Sequence, residues 1–175
     1  MTIPNIITIG RLLAVPVMIW LIANSYMPVA FYLFLAAGIS DGIDGFIAKR
    51  FNQQSELGAM LDPLADKMLL MAVYISLGLT HDLPGWLVIL VVARDAMILG
   101  GFLLLGTIGP VPRADPLYIS KVNTTVQIML AALALGIRGF GWPYAEAVLV
   151  LKYTVAATTF LSGLAYLVRW MKQAG

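Results

Sequence analysis

Along the chain, long apolar runs alternate with short polar punctuation, and the runs have the length of membrane-crossing helices. Such a helix needs about 20 mostly apolar residues. Pro, Gly, Asn and charged positions cut the sequence into six segments of that kind, near residues 5–24, 28–50, 58–80, 84–106, 118–137 and 144–170. Residues 12–40 carry no charge at all, too long a stretch for one span, and Asn24-Ser25-Tyr26-Met27-Pro28 supplies the turn that makes them a hairpin. The pattern predicts an all-α integral membrane protein of six transmembrane helices, one domain over residues 1–175.

Composition agrees with the pattern. Hydrophobic residues make up 61% of the chain and charged residues 11%, against roughly 25% charged in a soluble domain. A soluble protein and a disordered one are both excluded on that ground. Eleven basic residues face nine acids and nowhere form a run, so no nucleic-acid partner is expected. The chain has no cysteine and one histidine, His81, which leaves oxygen as the ligand for any metal.

Residues 1–25 have no Lys or Arg before Arg11 and no small-x-small cleavage pattern, so they read as a retained first span. Loop charges orient the bundle. Lys49, Arg50, Arg113, Arg169 and Lys172 fall on one side and only Arg138 on the other, which predicts both termini on the cytoplasmic face. Trp20, Trp86, Trp142 and Trp170 sit near span ends, where an interfacial aromatic belt would lie. The expected location is the bacterial inner membrane.

Charge within a span is costly and points to function. Four carboxylates lie in the second and third segments: Asp41 and Asp44 at i, i+3, and Asp62 and Asp66 at i, i+4. Each pair shares one helical face. Gly45 and Ala48 share the arc of the first pair and Gly58 that of the second, so both acidic faces are lined with tiny residues. The two helices are antiparallel with a common cytoplasmic end. At about 1.5 Å per residue, Asp44 and Asp62 lie roughly 6–8 Å from it and Asp41 and Asp66 roughly 12 Å.

Four carboxylates at two matched depths require countercharge. Two divalent cations would supply it. All-oxygen ligation favours Mg²⁺ or Mn²⁺ over Zn²⁺, with Ca²⁺ also compatible. The glycines leave room for a phosphate and a nucleotide to approach the backbone, which indicates phosphoryl-group chemistry. The alternative is a buried ion network in which Lys67, Lys49, Arg94 and Arg113 neutralise the four acids.

The run Asp41-x-x-Asp44-Gly45-x-x-Ala48-Lys49, followed by Gly58-x-x-x-Asp62-x-x-x-Asp66, resembles the signature of the CDP-alcohol phosphatidyltransferases. One position departs: the family usually has Arg after the Ala, and here Lys49 stands there with Arg50 behind it. The charge is kept; the bidentate fork is not. The resemblance implies a six-helix homodimer with a dimetal site that faces the cytoplasm and binds a CDP-linked donor. It implies Asp41, Asp44 and Asp62 as metal ligands, Asp66 as ligand and general base, and Gly45, Ala48, Lys49 and Gly58 beside the nucleotide.

At the start of the first span, Asn5, Thr8 and Arg11 share a face at i, i+3, i+6. Asn-x-x-Thr-x-x-Arg resembles the opening of bacterial phosphatidylglycerophosphate synthases and of cardiolipin synthases of this family. That likeness assigns Asn5 and Thr8 to the nucleotide and diphosphate, and Arg11 to a phosphate. The plainer alternative is an ordinary span start whose Arg11 reaches out to the interface.

Farther along, Ala93-Arg94-Asp95 and Ile119-Ser120-Lys121-Val122-Asn123-Thr124 are more similar to eukaryotic-type cardiolipin synthases than to phosphatidylglycerophosphate synthases. The likeness implies CDP-diacylglycerol as donor, phosphatidylglycerol as acceptor, and Arg94, Lys121 and Arg113 as cations for the acceptor's phosphodiester. The alternative for Arg94 is a pairing with Asp95 that only holds helices together. Two rival functions stand beside this one: a phosphatidylglycerophosphate synthase taking glycerol 3-phosphate, and a divalent-cation transporter. The second is disfavoured because the acids cluster toward one face instead of the midplane.

Overall fold

The computed structural model describes the backbone of residues 3–51, 56–108 and 117–174. Six helices follow one another: α1 (Ile3–Ala23), α2 (Met27–Phe51), α3 (Glu56–Leu79), α4 (Gly85–Ile108), α5 (Tyr118–Phe140) and α6 (Ala145–Ala174). No strand occurs among the described residues. Each helix falls within a few residues of an apolar segment read from the sequence.

The polar punctuation ends the helices by specific hydrogen bonds. After α1, Ser25 adopts a positive φ of 62°. Its N–H donates to the Ile22 carbonyl at 3.0 Å, and that of Tyr26 to the Leu21 carbonyl at 2.8 Å. This paired closure satisfies two carbonyls that the helix end would otherwise orphan. α3 ends the same way. His81 has φ 63°, and the N–H of Asp82 donates to the Leu77 carbonyl at 2.9 Å. At the end of α5, Gly141 takes φ 69°, a conformation glycine adopts without a Cβ penalty.

Two of the helices, over Tyr118–Phe140 and Ala145–Met171, are long and apolar enough to cross a membrane by length and composition among the described residues. Thr8–Ala23 and Met27–Gly42 are shorter apolar helices. Large apolar side chains including Leu13, Trp20, Ile89, Val150 and Phe160 stand exposed on the helix surfaces. Exposed apolar surface of this extent is characteristic of faces that meet lipid or another protein.

The chain forms two compact units. The first comprises residues 1–83 and 131–143. Here α1 packs against both α2 and α3, around buried Met18, Ile22, Ala30, Val73, Tyr74 and Leu77. At the α2 start, Phe31 meets Phe140 and Trp142 edge-on, with ring centroids 5.4 Å apart in both cases. A Cβ on Gly139 would lie 3.0 Å from the Pro28 backbone nitrogen, so α5 approaches α2 there so closely that a side chain would have to push the backbone aside.

The second unit comprises residues 84–130 and 144–175. In it α4 packs on α6, with Leu87, Val91, Ile98, Leu130 and Val155 buried.

Candidate active site

In the first unit, three helices bring three charged side chains to one point. Arg11, in the second half-turn beyond Thr8 on α1, is buried. Its Nη1 donates to Oδ1 of Asp41 on α2 at 2.9 Å and also to Oδ1 of Asp66 on α3. The matched depth expected for Asp41 and Asp66 thus appears as a shared partner. The Arg11 side chain is only 2% exposed, whereas those of Asp41 and Asp66 are 44% and 40% exposed. The guanidinium approaches from inside the packing, and the carboxylates keep an accessible side.

This geometry overturns the plainer alternative for Arg11. It does not reach toward an interface, because α1 presents it inward between α2 and α3 and the two carboxylates hold it there. It also revises the source of countercharge in the ion-network alternative. Among the described residues a cation on Asp41 and Asp66 is Arg11, which that alternative did not include, and Arg94, which it did include, is engaged with Asp95. Thr8, one turn before Arg11, is buried as well.

Of the other sequence-nominated residues, Asn5, Asp44, Gly45, Ala48, Lys49, Gly58 and Asp62 lie on described helix backbone, but their side-chain surroundings fall outside the described residues. Arg113 falls outside them altogether. No group of three or more His, Cys, Asp or Glu side chains suited to a metal occurs among the described residues. The donor set on view does suit a hard divalent cation. Asp41 and Asp66 present carboxylate oxygens from two helices to a single cationic atom, and both remain accessible.

The second unit holds a separate polar layer. Arg94 on α4 is buried and donates to its neighbour Asp95 at 2.5 Å, to Ser120 Oγ on α5 at 2.6 Å, and to Ser162 Oγ on α6. Its guanidinium carbon lies 6.0 Å from the centroid of the Tyr166 ring, within reach of a cation–π attraction. Asp95 is equally buried, with a side chain 3% exposed. Nearby, Oδ1 of Asn123 accepts hydroxyl hydrogen bonds from Thr158 at 2.8 Å and Thr159 at 2.9 Å.

Sequence reasoning had marked Arg94, Asp95 and the polar start of α5. It missed that Thr158, Thr159 and Ser162 complete the layer from α6. The signal was present as hydroxyls at helical spacing in an otherwise apolar segment, where Ser162 reads as one more small residue for close packing. Nε of Arg94 and Nδ2 of Asn123 are buried donors with no hydrogen-bond partner among the described residues. The layer therefore has donor capacity to spare. Lys121, at the start of α5, is exposed and is not drawn into the Arg94 cluster.

Known proteins resemble the chain over most of its length. The profile described as CDP-alcohol phosphatidyltransferase matches residues 1–168. The chain is 36% identical over 189 residues to the chloroplastic CDP-diacylglycerol–glycerol-3-phosphate 3-phosphatidyltransferase 1 of Oryza sativa subsp. japonica, covering 97% of this chain and 57% of that protein. It is 36% identical over 181 residues to the CMP-forming cardiolipin synthase of Rattus norvegicus, covering 94% and 60% respectively. With the CMP-forming cardiolipin synthase of Streptomyces coelicolor it shares 34% identity over 149 residues, covering 81% and 68%. The chain spans about three-fifths of the length of the first two relatives.

Proposed function

The chain belongs to the CDP-alcohol phosphatidyltransferase family, and from that membership we propose that it transfers the phosphatidyl group of CDP-diacylglycerol to the free hydroxyl of phosphatidylglycerol. The products are cardiolipin and CMP. The observation that carries the reading is the convergence of Asp41 and Asp66 from α2 and α3, two of the four acids in the motif.

Asp41, Asp44, Asp62 and Asp66 would hold two divalent cations, Mg²⁺ or Mn²⁺. Bound there, the cations would supply positive charge to offset that of the donor's diphosphate and of the departing CMP. The chain's own residues do the rest. Asp66 accepts the proton of the acceptor hydroxyl. The acceptor oxygen forms a bond to the phosphorus that carries the diacylglycerol, and the bond from that phosphorus to the CMP oxygen breaks. Asn5, Thr8, Gly45, Ala48, Lys49 and Gly58 border the nucleotide and diphosphate, and Arg11 belongs to the same phosphate-facing group.

Arg94, Arg113 and Lys121 are the cations proposed for the acceptor's phosphodiester. The spare donors on Arg94 and Asn123 support that role for the second unit's polar layer. The chain acts as one domain of six membrane spans, and the loop-charge asymmetry supports both termini and the acids facing the cytoplasmic side of a bacterial inner membrane. It works as a homodimer.

A second reading keeps the chemistry and changes the acceptor to glycerol 3-phosphate, as the name of the rice relative states for that protein. One assay separates the two. Purified chain with CDP-diacylglycerol and Mn²⁺ receives phosphatidylglycerol or glycerol 3-phosphate in separate reactions, and lipid products are identified by mass. Cardiolipin from phosphatidylglycerol alone supports the first reading; phosphatidylglycerophosphate from glycerol 3-phosphate replaces it with the second.

A further inference from the structure

We propose that Arg11 is a built-in cation that occupies the Asp41–Asp66 pair and competes with divalent metal for it. The inference rests on the reading of these acids as metal ligands and adds to it a residue of opposite charge. A single atom, Nη1, serves both carboxylates, 2.9 Å from Asp41 Oδ1 and also bonded to Asp66 Oδ1. It thus sits between the two carboxylates and neutralises charge on both.

The exposures define how exchange would proceed. Arg11 is held within the packing at 2% exposure, while Asp41 and Asp66 are 44% and 40% exposed. A metal ion arriving from the accessible side meets carboxylates already engaged from behind. To bind them fully, it must take oxygen lone pairs that now accept N–H bonds, and it must approach a guanidinium of like charge. A guanidinium has five N–H donors and never deprotonates, so it gives up these acceptors most readily by turning toward another anion. The donor's diphosphate is an anion of that chemistry.

The consequence is a carboxylate site that stays neutralised when no metal is bound. Without Arg11, α2 and α3 would present repelling acids to one another. With it, the metal-free fold is stabilised and metal affinity is moderated.

The test uses the full chain in detergent and Mn²⁺ alone, with free Mn²⁺ read by electron paramagnetic resonance. Arg11→Gln removes the competing charge, and Arg11→Lys retains it. An opposite charge within about 4–6 Å biases a carboxylate by about one to three pK units, so Arg11→Gln should bind Mn²⁺ about tenfold tighter or more. Arg11→Lys should stay close to the unaltered chain. Thermal midpoints supply a second readout. After chelation Arg11→Gln should melt below the unaltered chain, and saturating Mn²⁺ should close the gap.

Equal Mn²⁺ affinity in Arg11→Gln and the unaltered chain, or a melting gap that Mn²⁺ leaves unchanged, would overturn the proposal while sparing the metal site. So would an Arg11→Gln chain that stays unfolded in saturating Mn²⁺, because Arg11 would then be a fixed strut. Absence of Mn²⁺ binding in all three chains would instead remove the reading of the acids as metal ligands.

Discussion

Arg11 on α1 donates from Nη1 to Oδ1 of Asp41 on α2 at 2.9 Å, across 30 residues of sequence. The same atom reaches Asp66 on α3. One buried guanidinium therefore fixes the mutual position of two acids that the motif assigns to chemistry. It couples the packing of α1 to the state of the site.

Asp66→Asn tests the proposed base. The amide keeps the shape and still accepts a hydrogen bond from Arg11, but it cannot take a proton. Turnover should fall by about 10²–10⁴-fold, the usual worth of general-base catalysis, while CDP-diacylglycerol binding persists. Steady-state CMP release and lipid binding are measured on the same preparation, and unaltered turnover would remove Asp66 from the role.

Asp41→Ala tests the metal ligand. The unaltered chain should gain thermal stability on adding Mn²⁺, through binding to the folded state. The variant should lose most of that gain. A full metal response in Asp41→Ala would place the cations elsewhere.

The six helices were legible because their ends are written in local chemistry. Asn24-Ser25 and His81-Asp82 stop α1 and α3 through backbone bonds that span a few residues, and Pro28 and Pro84 stand at the next starts. The role of Arg11 was not legible. Its acids lie 30 and 55 residues away, and the pairing depends on how α1 is rotated against α2 and α3. Arg94 shows the same limit. Its bond to the adjacent Asp95 was an available alternative, whereas Ser162, 68 residues distant, is brought to it only by the packing of α4 on α6.

Asp95→Ala tests the second unit's polar layer as a structural element. It leaves a buried guanidinium without its carboxylate, and removing one member of a buried ion pair costs about 3–5 kcal/mol. Ser162→Ala should cost less, about 1–3 kcal/mol, as one lost hydrogen bond to a charged group. Denaturant unfolding in detergent measures both. Mn²⁺ affinity of the folded protein should not change in either variant.

Gly139→Ala tests the close approach of α5 to α2. The added Cβ would meet the Pro28 nitrogen at 3.0 Å and the Met27 carbonyl carbon at 3.2 Å. Both are backbone atoms, which yield less readily than a side chain. Overpacking of this kind costs about 1–3 kcal/mol. A thermal midpoint equal to that of the unaltered chain would show that the two helices can part at no cost.

The central claim is phosphatidyl transfer from a CDP-linked lipid at the acidic motif. Its most direct test measures CMP and lipid product together, with purified chain, CDP-diacylglycerol, phosphatidylglycerol and Mn²⁺, against the same mixture with chelator. The account predicts CMP and cardiolipin in equal amounts, and neither after chelation. CDP-diacylglycerol left intact in the complete mixture, with the chain folded and Mn²⁺ bound, would contradict it.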